Sequence, residues 1–192
     1  MSLLVPESDN AVSGLTVFDA TTSLRLDASQ ANRFTAHLDR AWSSLVGIHG
    51  GYLTAIAIRA AQRVVGERPI RTVTTTFLRP GSIGNAAVDV EAVRRGRSIT
   101  NLAVSLSQSS KLVLVSQIVA ADVVESTSWE TTTRPDIADF AQCVPITPPE
   151  GIGHFDHAVA VLDPRGMPFS HGPVARVAGY MRPREPGPID AA

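Results

Sequence analysis

Residues 52–65, YLTAIAIRAAQRVV, carry apolar side chains around most of a helix. Leu53, Ile56, Ala57, Ala60 and Val64 recur at helical spacing, and Ala55, Ile58, Ala61 and Val65 fill the other faces. Only Arg59, Gln62 and Arg63 are strongly polar, and all three come late. A helix of this kind cannot lie on a surface with one face in water; it has to be enclosed. Gly66 sits where a helix C-terminus favours glycine, and Pro69 follows soon after. At the other end, His49-Gly50-Gly51 puts two glycines where the buried helix should begin.

The flanking sequence supplies strands rather than further helices. Residues 22–26 are a short candidate strand, and residues 33–38 alternate Phe34, Ala36 and Leu38 with Thr35 and His37. Beyond the helix, four strand-like runs cover residues 71–78, 87–93, 98–107 and 112–123. They are separated by Pro80-Gly81, Arg95-Gly96-Arg97 and Gln108-Ser109-Ser110. The short connections predict an antiparallel meander of these four strands. Ile99 falls out of phase with Leu102, Val104 and Leu106, which predicts a bulge there. One helix can be covered on most sides only by a sheet that curls around it. The expectation is therefore an α+β chain with the hotdog fold, an antiparallel sheet wrapped around one long buried helix.

The rest of the chain divides by composition. Residues 1–14 read as a flexible tail, 15–124 as the N-terminal hotdog domain and 125–153 as a Thr- and Pro-rich linker with a short helix near 136–142. Residues 154–162 and 174–182 are further strand candidates, and the closing Glu185-Pro186-Gly187-Pro188-Ile189-Asp190 has the chemistry of a helix start. Residues 154–192 thus read as the beginning of a second, incomplete hotdog.

Composition removes several function classes. A net charge of −1 over 192 residues, 44% of them hydrophobic, fits a globular chain and gives no clustered basic face for nucleic acid. Cys143 stands alone, so no intrachain disulfide can form. No apolar run reaches the roughly 18 residues of a membrane span, and the N-terminal MSLLVPESDN lacks the basic region of a signal peptide. A cytoplasmic protein is expected. No G-x-S-x-G, G-x-G-x-x-G or Walker pattern occurs. His154 and His157 are three apart but have no third ligand at metal spacing, so neither a metal nor a cofactor is expected.

Four segments, HGGYLTA, TTTFLRPG, VEAVRRGRS and LSQSSKLVLVSQ, in this order and spacing, resemble the acyl-CoA thioesterase II family of double-hotdog thioesterases over residues 40–122. The resemblance implies two hotdogs packed side by side, with residues 154–192 opening the second. It implies fatty acyl-CoA as substrate, and a catalytic carboxylate, hydroxyl and glutamine in the second hotdog beyond Ala192. Asp190 stands too early in its helix to be that carboxylate. A complementary second-hotdog fragment, or association of the chain with itself, is the expected partner.

Thioester hydrolysis needs an activated water and donors for the oxyanion that develops on the carbonyl. Gly50 and Gly51 can offer free backbone N–H groups at a helix N-terminus; alternatively they only permit close strand–helix packing. His49 can bond substrate or orient water, or can serve as a cap. Asp39 is a carboxylate before the helix, or simply a strand-end residue. Arg79, Arg95 and Arg97 are candidates for coenzyme A phosphates or solvated turn residues, and Thr76 and Ser98 for site-lining hydroxyls. The reading is an acyl-CoA thioesterase-like hydrolase. The alternatives are a non-catalytic acyl-binding or scaffold hotdog and, more weakly, a hotdog dehydratase. The absence of asparagine from residues 39–51 counts against the last.

Overall fold

The computed structural model describes residues 16–125, 127, 129–133, 135–147, 150–168 and 175–185. The expected tail and the helix start after Glu185 lie outside these residues. In chain order the elements are α1 (Val17–Thr21), β1 (Arg25–Leu26), β2 (Arg33–Leu38), β3 (Ser43–Ser44), β4 (Gly47–Ile48) and α2 (Gly50–Val65). Then follow β5 (Ile70–Phe77), β6 (Gly84–Arg95), β7 (Ile99–Gln108) and β8 (Lys111–Ala121). The last three strands are β9 (Val144–Pro145), β10 (Ala158–Leu162) and β11 (Gly179–Pro183). Single 3-10 turns sit at Arg40–Trp42, Phe140–Gln142, Gly153–His157 and Pro164–Gly166.

The main sheet has six strands in the order β1-β2-β6-β7-β8-β5, every pair antiparallel. Its inner face carries Phe34, Ala36, Leu38, Ala86, Val88, Val90, Leu102, Val104, Leu106, Leu114 and Ile118, all buried against α2. From α2 come Tyr52, Leu53, Ile56, Ala57, Ala60 and Ala61, also buried. The three alanines let the sheet approach the helix axis closely. Only Gly51 and Arg63 of α2 are fully exposed. This is the hotdog fold expected of an apolar helix that has to be enclosed.

Two expectations need correction. β5 does not pair with β6; it pairs with β8 at the far edge of the sheet, and only β6-β7-β8 form a meander. Tight hairpins use turns with positive φ at their first central residue, and the proline ring of Pro80 holds φ near −65°. The chain instead runs away from β5, and Gly81 accepts a hydrogen bond from Ile48 N–H at 3.0 Å. Residue Gly84 then enters β6 opposite Leu38 of β2. The bulge also falls elsewhere. Ile99 pairs regularly with Ala121, and the register shifts lie at Ala92/Arg94, at Leu106/Ser107 and at Ile70/Thr72. Ile99 belongs to the outward row of β7, with Asn101, Ala103, Ser105 and Ser107, which is why it breaks phase with the buried leucines.

Beyond residue 124, β10 is flanked by β9 and β11 in a small sheet. The expected helix near 136–142 is a single 3-10 turn. The segment read as linker is pinned by Asp163, whose buried carboxylate accepts from Ala138 N–H at 3.1 Å, Arg165 N–H at 2.9 Å and Arg165 Nη2 at 2.7 Å. Arg165 also bonds Asp136, and Arg176 lies 3.6 Å from Asp163. The hydrogen bonds from Arg165 hold the Asp163 carboxyl far below the usual carboxylate range. A depressed carboxyl pKa contributes stability that is present above the ordinary value and lost as pH falls below it. Amide protection of β10 and β11 should therefore decline below about pH 4 before that of β6, β7 and β8. In Asp163→Asn it should be weak at every pH. Hydrogen exchange followed against pH measures both, and uniform loss across all strands would contradict the assignment.

Candidate active site at the start of the buried helix

Two sequence motifs meet where α2 begins. Gly47 has φ of +135°, a conformation that side chains disfavour, and a Cβ there would stand 2.7 Å from Gly81 O and 3.0 Å from Pro80 Cβ. Gly81 in turn lies against Leu38, Leu53 and Ile48. The turn after β5 and the turn before α2 are thus interlocked backbone to backbone. His49 occupies the N-cap position, its N–H donating to Trp42 O at 2.8 Å, and its side chain makes no capping bond. The first N–H groups of α2 therefore have no helical acceptor, and the helix dipole adds partial positive charge there.

Gly50 faces a cleft of about 330 Å³ whose lining includes Ser44, Val46, Ile48, Leu53, Phe77 and Arg79. The Phe77 ring lies over Gly50, and its Cζ is 2.9 Å from where a Cβ would be. The His49 ring lies over Gly51, with Cε1 at 3.1 Å and Nδ1 at 3.2 Å from the corresponding point. Burial pushes the His49 pKa down from its ordinary value, and the neighbouring His154 adds to the effect. Leu45 and Val46, in the turn between β3 and β4, and Phe77 and Leu78 give the region an exposed apolar rim.

The structure gathers His49, Gly50, Gly51 and Arg79 at this end of the fold. Arg79 Nη1 donates to Leu112 O at 2.6 Å while the residue itself stays exposed. Arg97 and Ser98 are not gathered with them. They lie in the β6–β7 turn at the opposite end, where Arg97 O accepts from Arg68 Nη2 at 2.7 Å and Ser98 O from Asp122 N–H. Arg68 follows the C-terminus of α2, and sixteen helical residues rise about 24 Å. Arg95 closes β6 at that same far turn. Thr76 points outward from the sheet, opposite Val115, into a separate shallow hollow of about 550 Å³. Asp39 accepts from Ala41 N–H at 2.8 Å and caps the turn Arg40–Trp42.

Sequence reasoning passed over three groups. Thr75 rather than Thr76 faces the helix: its Oγ1 is 2.8 Å from Ser116 Oγ and 3.5 Å from Thr54 Oγ1. The signal was present, because Thr75 shares its row with apolar Val73 and Phe77. Trp42 stacks on Tyr52 at 5.3 Å and on His157 at 4.4 Å, and donates its Nε1–H to Thr21 Oγ1 at 2.8 Å. His154 lies against His49 with ring centroids 4.3 Å apart and the rings tilted by 32°. Residues three apart eclipse in a 3-10 turn, so the spacing of His154 and His157 directs both rings to the same neighbour, the segment preceding α2.

Comparison with known proteins agrees with the fold. Residues 38–122 match the family model of the acyl-CoA thioesterase N-terminal domain, which bears out the resemblance carried by the four motifs. No curated protein sequence matches the chain. Among solved structures, a hot dog fold protein of unknown function from Alicyclobacillus acidocaldarius superposes with a TM-score of 0.78 at 23% identity. The match covers 88% of this chain and 63% of that one. A tesB protein from Mycobacterium avium subsp. paratuberculosis gives 0.68 at 24%, covering 90% and 62%. A structure from Thermobifida fusca, provisionally named a thioesterase II, gives 0.68 at 23%, covering 79% and 56%. These likenesses show the fold. The chain spans 56% to 63% of the length of these three structures. Among the described residues no helix is long and apolar enough to cross a membrane.

The interlocked turns make a direct stability prediction. Gly47→Ala should lower the free energy of unfolding by about 1–3 kcal/mol through backbone strain, and more if Gly81 cannot shift. Gly66→Ala, at φ +69° and ψ −128° but with open space around it, should carry backbone strain of about 1–3 kcal/mol alone, without the added collision. Denaturant midpoints for the two variants give the comparison, and equal costs would refute the interlock.

Proposed function

We propose that the complete protein hydrolyses acyl-CoA thioesters to the free acid and coenzyme A. The observation that carries this reading is the coincidence of two facts. The segment matching the acyl-CoA thioesterase domain includes the start of α2, and that start has no side-chain cap and places Gly50 in the lining of an open cleft beside Val46, Ile48, Leu53 and Phe77. The N–H groups of Gly50 and Gly51 receive the oxyanion, as preorganised donors in a partly dehydrated site do. The cleft between Val46, Ile48, Leu53 and Phe77 takes apolar substrate next to the thioester. Arg79, at its mouth, is placed for a coenzyme A phosphate, and Arg97 serves the distant turn.

The resemblance places a carboxylate, a hydroxyl and a glutamine in a second hotdog. Within this chain, the titratable group beside the glycine donors is His49. Neutral His49 orients the water and takes its proton as hydroxide attacks the carbonyl carbon. Collapse of the tetrahedral intermediate breaks the C–S bond, and the imidazolium returns the proton to the departing thiolate. A second hotdog would pack along the open edge of β5. Among the described residues that strand is paired with β8 alone, and an unpaired edge of this kind is a ready template for another sheet. The same edge would accept a second copy of the chain.

A thiol-release assay of the complete protein over acyl-CoAs of several lengths tests the reading. Release above the buffer rate is expected; binding without release would leave an acyl carrier and sink the hydrolase. Gly50→Ala sharpens the test. Its methyl displaces the end of an exposed phenyl ring while alanine suits a helix, so stability should hold. Loss of carbonyl access should cost about 10- to 100-fold in kcat/KM, the scale of a displaced reacting group.

A further inference from the structure

Residues 151–157 span the end of the segment read as linker, yet they are built into the segment before α2. Gly153 N–H donates to Ser43 Oγ at 3.1 Å, and Ser43 Oγ donates to Gly151 O at 3.2 Å. Gly153 comes so close that a Cβ would stand 2.6 Å from Ala41 O. His157 stacks on Trp42, which stacks on Tyr52 of α2. His154 Nδ1 lies 3.1 Å from Ser43 O, and its ring stacks on Phe155 and lies tilted against His49 at 4.3 Å between centroids.

The Ser43 contact decides the tautomer of His154. A carbonyl oxygen only accepts, so Nδ1 carries the hydrogen. The ring is thereby locked in plane and orientation against His49. The His49 nitrogens, by contrast, have no hydrogen-bond partner among the described residues, and the residue is half-buried. From its geometry we infer that His154 is a positioning residue of the site proposed above, fixing the His49 imidazole over Gly51 and shielding it from water on one face. The inference rests on the hydrolase reading for its catalytic meaning, but the contact itself does not.

The electrostatic surroundings agree. α2 has no acidic residue in its first turn. The segment before it brings Asp39, whose carboxylate accepts from Ala41 N–H, and Arg40. The 3-10 turn brings Asp156, and His157 on Trp42. Desolvation and the charge of His154 are what lower the His49 pKa. A histidine whose pKa is lowered stays neutral, and able to accept a proton, to a lower pH than a free one.

The test compares His154→Phe, which keeps an aromatic face but loses the charge and the Nδ1–H, with His154→Asn, whose amide N–H can still reach Ser43 O. Imidazole NMR titration of the 192-residue chain reads His49 directly. Its pKa should rise in His154→Phe by the part that the His154 charge contributes, while the larger desolvation effect remains. In the complete protein, the acid limb of the kcat/KM profile should move up in parallel, and kcat should fall about 10-fold or more with KM little changed. His154→Asn should recover part of kcat. Thiol release with an unmoved His49 titration and acid limb would overturn the role of His154 alone. A shifted titration with no thiol release by the parent protein would sink the hydrolase reading, and with it the catalytic role of the pair.

Discussion

A helix with almost no polar face sets the terms for everything around it. Because α2 leaves only Gly51 and Arg63 fully exposed, the sheet must bend around it rather than lie flat against one side. The bending is concentrated where the register shifts, at Ala92/Arg94, Leu106/Ser107 and Ile70/Thr72, since a bulge adds twist to the strand that carries it. Six strands still do not close a barrel. They leave a flank between β5 and α2, where Thr54 and Thr75 are only half-buried. The first turn of the helix, with Phe77 over Gly50, lies on that flank. The candidate site is thus placed by the same incompleteness that leaves β5 as an edge.

Much of this was legible from periodicity. The helix was read at 52–65 and is found at Gly50–Val65; the strand read at 33–38 is found there, and the four later strands agree to within a few residues at their ends. Periodicity reports which residues share a face, so it marked the inner rows of β2 and β7 correctly. It carries no information on which strands become neighbours. Four strands with short connections suggest a meander, and what breaks it is a local property of Pro80 together with a distant acceptor bond at Gly81. The same limit explains Ile99: an apolar residue on an outward row looks like a phase error when only one face is expected to be apolar.

The site was legible only in part, for a different reason. His49, Gly50, Gly51 and Arg79 belong to two motifs that the fold brings together, so reading each motif was enough. Arg97 and Ser98 belong to an equally clear motif at the wrong end of the helix, tied there by Arg68, which bonds Asp122 at 2.8 Å and Thr100 Oγ1 at 2.8 Å. His154 was visible only as half of a histidine pair with no third metal ligand. Its partner proved to be a histidine 105 positions earlier, and no spacing rule reaches so far. The glycine at 153, next to a turn with His at i and i+3, is the local trace of that docking, because any larger residue would collide with Ala41 O.

The glycines at the start of α2 can now be weighed between packing and chemistry. Among the described residues positive φ is confined to other glycines and to Asn32, Ser109 and Ser110, so Gly50 and Gly51 are not needed for backbone conformation. Alanine would favour the helix by about 1 kcal/mol at an interior position. What a Cβ would meet is two rings, Phe77 over one glycine and His49 over the other, and both are side chains rather than backbone. Packing therefore accounts only weakly for the missing Cβ atoms. It does not account for the uncapped N–H groups, since Ser, Thr, Asp or Asn at position 49 would cap them. A histidine there leaves the donors without a side-chain cap and lays beside them an imidazole whose nitrogens have no partner among the described residues. For a fold that needs only a tight first turn, this is the less stable choice; for one that must hold a developing oxyanion next to a base, it is the required one.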